Sequence, residues 1–334
     1  MNNIKATSQF DLKTIYAEIE VLRDRVNSVR KSLAEYFVGK QDVIDLMVIC
    51  TLAQEPLLIV GKPGTAKSDL IVKFTQALGV SGKQYFEYML TKFTEPSEII
   101  GPVDINALKK GDYIRNIEGK LPEAQLVFLD EVFKSNSAIL NTLLTIINER
   151  KFYQGGKPVP VPMLMLFGAA NEIPEYSELS ALKDRFILKI ESHSVQDSQF
   201  DQLLQYGLRN ETYKTFNQKP WQGISNLEDF IKLKFYIDNQ ISEDSKNNTL
   251  DKNMFPREVY VLFKRLIKSL QKEDKLNITD RKVIKLYKII RIRAFLLHGG
   301  VVRKEDLQIL SYIPDRLQDF EPVREKIHSL LRLD

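Results

Sequence analysis

Apolar residues at Leu12, Ile15, Tyr16, Ile19, Val21, Leu22, Val26, Val29 and Leu33 recur broadly at helical spacing, predicting a long helix early in the chain. Gly39 breaks that pattern, and a second helix is predicted from Gln41 through the apolar run VIDLMVICTLA. LLIV (57–60) is short and unbroken, the signature of a buried strand; a glycine-bearing loop and a helix to about Leu78 follow. QYFEYML, LVFLD (126–130) and MLMLFGAAN read as further strands, and SAILNTLLTIINER (137–150) as an amphipathic helix. YQGGKPV has the turn chemistry of a hairpin. Proline, glycine and short polar–apolar alternations between 95 and 125 predict a helix-poor insertion of loops or small hairpins.

Alternation of strand and helix up to about residue 190 implies a parallel sheet covered by helices. Beyond it, FDQLLQYGL, LEDFIKLKFYI, PREVYVLFKRLIKSL and TDRKVIKLYKIIRIRAFLLHG all read as helices, with Pro256 placed at a helix start. The expected organisation is an N-terminal helical segment (1–35), an α/β core (36–192) and a mainly helical domain (193–334). The polar run 241–253 is expected to be a mobile connector.

Composition narrows the class. The 334 residues suffice for about two domains with an ample core. A net charge of +4, from 48 basic and 44 acidic side chains, disfavours nucleic acid as a partner. The single cysteine, Cys50, excludes an intrachain disulfide and falls in an apolar helical run, so a buried thiol is expected. His193, His298 and His328 show no metal-ligand spacing; His298, near a helix end, is expected to meet a free carbonyl. The opening MNNIKATSQFDLKTIY lacks the apolar core of a secretory leader, and no apolar run reaches the roughly twenty residues of a membrane span. The expected location is cytoplasmic, with no integral membrane segment.

Candidate chemistry clusters at predicted strand ends. GKPGTAKS (61–68) follows LLIV: Gly61 and Gly64 permit tight curvature, Pro63 restricts it, Lys67 is placed to reach phosphate and Ser68 to hold Mg²⁺. The helix after it would turn unpaired amides toward the phosphates. Glycine is usual immediately before the lysine; Ala66 stands there, and a negative φ at the helix mouth would make the methyl group inexpensive. Asp130 and Glu131 end LVFLD, one suited to Mg²⁺ and the other to polarising water, although a strand ending in solvent would show the same pair. Asn171 ends MLMLFGAAN and can orient water if its strand lies between the other two. Arg185 precedes a fifth strand and could serve a neighbour's phosphate, or simply pair with Asp184. Arg281 begins a helix after a Thr279/Asp280 cap and could fold back from a helical lid onto the nucleotide, or form with Lys282 and Lys285 an ordinary solvated helix face; Phe37–Val38–Gly39 could approach an adenine.

These stretches together resemble the MoxR family of AAA+ ATPases, most closely its RavA branch. The resemblance spans nearly all of 30–315 and is densest in GKPGTAKS, FEYMLTKFTEPSEIIGPVDINALKKGDY, GKLPEAQLVFLDEVFKSNSAILNTLLTIINERKF and ALKDRF. It implies a P-loop core with a parallel five-stranded sheet and a C-terminal helical lid. It also makes Gly61, Lys62, Pro63, Gly64, Thr65, Ala66, Lys67, Ser68 and Asp69 the nucleotide-binding stretch, with VGKQ (38–41), Val38 and Gly39 foremost, near adenine. Lys67 and Ser68 become the Walker A pair, Asp130 and Glu131 the Walker B pair, Asn171 sensor 1, Arg185 a finger acting in trans and Arg281 sensor 2. Residues 95–120 match the family's helix-two insertion and 150–162 its hairpin before sensor 1. RavA-like proteins also carry alanine before the lysine. The implied cofactors are ATP and Mg²⁺, the implied assembly a homo-hexamer that remodels or matures proteins, and the implied partner a von Willebrand factor A domain protein. An ATP-timed assembly scaffold or a DNA-associated motor are the alternative functions.

Overall fold

The computed structural model describes residues 11–195 and 199–331. The first ten residues of the expected helical segment 1–35 lie outside that range. Helix α1 (Leu12–Tyr36) opens on Asp11, whose carboxylate accepts from the Lys13 amide at 3.2 Å, and buries Ile15, Ile19, Leu22, Val26, Val29 and Leu33 along one face. Helix α2 (Gln41–Ala53) is apolar nearly all round and accordingly sits in the core. Cys50 on it is fully buried, which pushes its thiol pKa up.

Next come β1 (Leu57–Val60), α3 (Lys67–Ala77), β2 (Tyr85–Met89), the short helices α4 (Pro96–Ile100) and α5 (Ile105–Leu108), and β3 (Leu126–Asp130). Helix α6 (Ser137–Glu149), the hairpin β4 (Lys151–Gln154) and β5 (Lys157–Pro160), β6 (Met165–Ala170), α7 (Ser180–Arg185) and β7 (Leu188–Glu191) complete the core. The five strands run parallel in the order β2-β3-β6-β1-β7, which sets β6 between β1 and β3. Both faces are covered, as the unbroken apolar strands require. Leu57 and Ile59 face a core shared with α1, α2 and the C-terminal helices, while Leu58 and Val60 face a second core with α6.

The insertion after β2 holds α4, α5 and one isolated antiparallel bridge, Val103 to Arg115, so it is more helical than expected. Its fold depends on Gly101, at φ +92°, where a Cβ would lie 1.8 Å from the Asn116 carbonyl oxygen. The hairpin forms as predicted, and Gln154 Nε2 donates to the Arg115 carbonyl at 3.2 Å, tying it to the insertion.

The C-terminal part comprises α8 (Phe200–Thr215), α9 (Leu227–Lys246), α10 (Arg257–Lys272), α11 (Asp280–His298), a 3₁₀ segment (Lys304–Tyr312) and α12 (Phe320–Leu331). Its apolar side is continuous with α1 and α2 in one core. The expected connector at 241–253 is largely an anchor. Helix α9 continues to Lys246, and buried Asp244 accepts from Arg291 Nη1 at 2.8 Å and from Asn253 Nδ2 at 3.3 Å. Most of the run's polar residues are exposed, from Ser242 and Glu243 through the turn that follows Lys246, and Asp244 is the buried exception. His298 also differs from expectation: its Nε2 lies 2.9 Å from an Asp306 carboxylate oxygen, while Gly299 at φ +92° caps the helix.

Two further ion pairs cross the seam between sheet and lid. Fully buried Lys189 on β7 lies 2.8 Å from Asp315, and Lys282 on α11 lies 2.8 Å from Asp184 on α7. No helix among the described residues is long and apolar enough to cross a membrane.

Candidate functional site

Placing β6 between β1 and β3 brings three loop starts to one edge of the sheet, where open parallel α/β sheets bind ligands. The turn after β1 is held from behind. Ser192 N donates to the Val60 carbonyl at 2.6 Å and Ser192 Oγ to the Thr65 carbonyl at 3.0 Å. Gly61 is needed for this close approach, since a Cβ there would lie 2.5 Å from the Ser192 carbonyl oxygen. Gly64 adopts φ +83°.

Ala66 is left-handed as well, at φ 63° and ψ 20°, correcting the expectation of a negative φ. The turn ahead of α3 imposes this conformation on a residue with a Cβ, an arrangement that stores backbone strain beside the candidate phosphate site. The first helical bond runs from Leu70 N to the Ala66 carbonyl, so the amides of Lys67, Ser68 and Asp69 precede it and form the positive end of α3.

Lys67 is nearly buried and its Nζ donates to the carbonyls of Gly61 (2.5 Å) and Lys62 (3.2 Å) and to Asn171 Oδ1 (3.4 Å). Burial lowers its pKa, while the negative charges of Asp130 and Glu131 act in the opposite sense. Asn171 Nδ2 in turn donates to Glu131 Oε1 at 2.5 Å. Lys67, Asn171 and Glu131 thus form one hydrogen-bonded chain across the ends of β1, β6 and β3. Glu131 is itself left-handed, at φ 52°, with its amide donating to Asp130 Oδ1 at 2.8 Å and Lys134 3.4 Å from its carboxylate.

A cavity of about 310 Å³ adjoins this turn. Gly64, Thr65, Ala66 and Asp69 line one end, and Tyr36, Phe37 and Val38 line an apolar part toward which Leu203, Tyr206 and Asn210 of α8 also face. Val38 therefore sits beside the loop, as the sequence suggested; Gly39, at φ +65°, packs against Val195. An apolar recess that runs up to the loop residues ahead of α3, with Lys67 next along the chain, fits a nucleotide, and the hydroxyl of Ser68 with the carboxylate of Asp130 supplies the oxygen donors that Mg²⁺ prefers.

The bracing role of Lys40, which the sequence placed only within the stretch near the adenine, and the α8 residues were not recognised from the sequence. Lys40 is buried and donates to Ser192 Oγ (2.8 Å) and the His193 carbonyl (2.5 Å), bracing the strand that supports the loop. Its pKa is lowered by burial and then by the charge of Lys67. Its place in VGKQ (38–41) put it near the site but not behind the loop. Nothing in the spacing of Leu203, Tyr206 and Asn210 says which distant loop their helix would cover.

Arg185 and Arg281 lie elsewhere. They share a cleft of about 220 Å³ with Gln54, Glu55, Arg150 and Lys285, next to the residues preceding β1 and hence at the opposite strand end from the phosphate loop. Arg185 pairs with Asp184 at 3.0 Å, and its Nε is buried without a hydrogen-bond partner. Arg150 is braced on the Gln54 carbonyl at 2.8 Å, and Lys285 pairs with Glu55 at 2.5 Å. The geometry therefore joins the two arginines to each other and separates both from this chain's own loop, which corrects the expectation that Arg281 folds back onto the nucleotide held there.

Residues 24–230 match the family described as the MoxR domain in the MoxR-vWA-beta-propeller ternary systems. Two uncharacterized proteins of Methanocaldococcus jannaschii are each 34% identical to the chain, over 86% of it and 70% of their own length. The chaperone MoxR1 of Mycobacterium tuberculosis is 24% identical over 52% of this chain and 45% of its own. The fold matches a crystal structure from Cytophaga hutchinsonii described as a "putative ATPase", with a TM-score of 0.70 at 17% identity, covering 96% of this chain and 97% of that one. The chain belongs to the MoxR family of AAA+ ATPases.

Proposed function

We propose that this protein hydrolyses ATP at sites shared between adjacent copies and uses the cycle to remodel or mature a partner protein. The observation that carries the reading is the chain Lys67–Asn171–Glu131, which joins three strand ends beside a cavity of nucleotide character. In this reading Lys67 and the leading amides of α3 hold the phosphates, and Glu131, steered by Asn171, takes a proton from the attacking water. Mg²⁺, held by Ser68 and Asp130, would neutralise phosphate charge. Arg185 and Arg281, at the far end of the strands, serve the site of the next copy in a homo-hexameric ring. The RavA branch is favoured by Ala66 before the lysine, and a von Willebrand factor A protein is the partner class favoured by the family description.

The remodelling surface in this reading is the insertion with the hairpin. Phe93, Ile105, Leu108, Tyr113 and Tyr153 are all exposed there, although large apolar side chains are usually covered. Phosphate release from purified protein tests the activity: turnover should require Mg²⁺ and disappear in Lys67→Ala. Unchanged turnover in that variant refutes the assigned site.

A further inference from the structure

The lid carries a second concave surface, which shares no lining residue with the nucleotide cavity or the arginine cleft. It is a groove of about 720 Å³ between α10 and α12, walled by Val261, Lys264, Arg265, Lys268 and Lys272 on one side and Lys326 on the other. Glu273 is the acidic residue of this lining, set against five basic ones. That excess of four positive charges equals the net charge of the whole chain, +4, so the rest of the molecule is balanced overall.

Helix α10 turns Val259, Phe263, Leu266, Ile267 and Leu270 into the core, which leaves Lys264, Lys268 and Lys272 along its open side. These three stand four residues apart, a spacing at which like charges repel and destabilise a helix. Elsewhere the chain sets an acid at that spacing, as in Lys234 with Asp238 on α9 at 2.5 Å and Lys73 with Asp69 on α3. In the groove the described ion pairs are those of Lys326, with Glu273 at 2.9 Å and with Asp274. They neutralise the α12 wall and leave the row on α10 uncompensated. The Lys264 ammonium rests over the Tyr260 ring, 4.6 Å from its centre, and Lys268 and Lys272 have no acidic partner among the described residues.

We infer that the row Lys264–Lys268–Lys272 is a docking site for an acidic helical segment of a partner protein. The row rises about 12 Å along α10, which matches two turns of a helix whose own acids stand four apart. Carboxylates there remove the repulsion along α10. Exposed Val261 and half-buried Leu330 give an apolar side chain of the same segment a place to rest. Nucleic acid fits less well, because no aromatic side chain lines the groove among the described residues and bases have nothing to stack on. Tyr260 of α10 also meets Tyr287 of α11, with ring centres 6.4 Å apart. A partner held in the groove therefore sits one helix away from the helix that carries Arg281.

Fluorescence anisotropy tests the site with a fluorescein-labelled helical peptide that has glutamates four residues apart and leucines beside them. The assay contains no nucleotide, so its result is independent of the ATPase reading. Lys264→Glu/Lys268→Glu/Lys272→Glu should raise the Kd of the peptide at least about tenfold, since three attractive contacts become repulsive. Lys31→Glu/Lys219→Glu/Lys252→Glu has the same net charge, changes only exposed positions outside the groove, and should stay within about twofold of wild type at physiological salt. Equal losses in the two variants overturn the proposal, as does unchanged binding in the first or no binding by wild type at low salt. A labelled oligothymidylate that binds more tightly than the peptide, through the same three lysines, also overturns it and makes the groove a phosphate-backbone site. Should the glutamate variant misfold, Lys264→Gln/Lys268→Gln/Lys272→Gln removes the repulsion without adding acid and should weaken binding about threefold or more. Wild-type affinity in that variant rejects the docking site.

Discussion

Replacing Ala66 by glycine tests the backbone of the phosphate loop through the sign of one stability change. At φ 63° and ψ 20°, Ala66 bears the left-handed penalty of an L-residue, about 1–2 kcal/mol. Glycine escapes that penalty but loses more freedom on folding, a cost of roughly 0.5–1 kcal/mol. The difference predicts that Ala66→Gly stabilises by up to about 1.5 kcal/mol, centred on about 0.8 kcal/mol, raising the thermal midpoint by about 1–3 °C in a chain of this size. With a negative φ at position 66 only the glycine entropy would remain, and the variant would melt lower. Gly64, at φ +83° and with open space where a Cβ would go, is the reciprocal control. Gly64→Ala should lose up to about 1.5 kcal/mol net, backbone strain of about 1–2 kcal/mol offset by the glycine entropy of roughly 0.5–1 kcal/mol. Thermal unfolding of the two variants beside wild type, without nucleotide, is the assay. A lower midpoint for Ala66→Gly would refute the left-handed loop and the strain attributed to it.

Four further outcomes follow from the site. Gly61→Ala should disrupt the loop, because its Cβ would lie 2.5 Å from the Ser192 carbonyl oxygen; calorimetry should find nucleotide binding lost or much weakened. Glu131→Gln should bind nucleotide while slowing phosphate release by about 10²–10⁴-fold, the range for losing a general base. Arg185→Ala should assemble without turning over, and mixing it with Lys67→Ala should restore activity, since mixed rings then contain intact shared sites. Arg281→Ala should behave like Arg185→Ala in the same mixing assay, as expected of two arginines in one cleft; restoration only with intact Arg281 beside its own loop would contradict that placement.

The strand ends were the most legible part of the sequence. LLIV, LVFLD and MLMLFGAAN are short apolar runs whose first polar residues form the site, and burial on both sheet faces makes such runs conspicuous. Local chemistry misled where tertiary structure set the conformation. The φ of Ala66 is dictated by the turn, and a negative value was reasonable for any alanine at a helix mouth. The run at 241–253 reads as a solvated linker because most of its residues are polar and exposed; its one buried charge, Asp244, has its partner in Arg291, far along the chain. The base-side wall was illegible for a related reason: α8 folds back on Tyr36 through polar contacts between residues 174 positions apart. The relation of Arg281 to Arg185 likewise depends on how the lid seats against α7, information carried by the Lys282–Asp184 contact rather than by any motif.

Asp184 stands between two cations with different duties: Lys282 of the lid on one oxygen and Arg185 on the other. In the shared-site reading, a carboxylate placed this way would act as a clutch. If the lid swings and draws Lys282 off, Asp184 turns more of its charge to Arg185 and restrains it; if Lys282 bears down, the guanidinium is freer to extend toward a neighbour. One acidic side chain would then let the posture of the lid in one protomer set the reach of its arginine into the next.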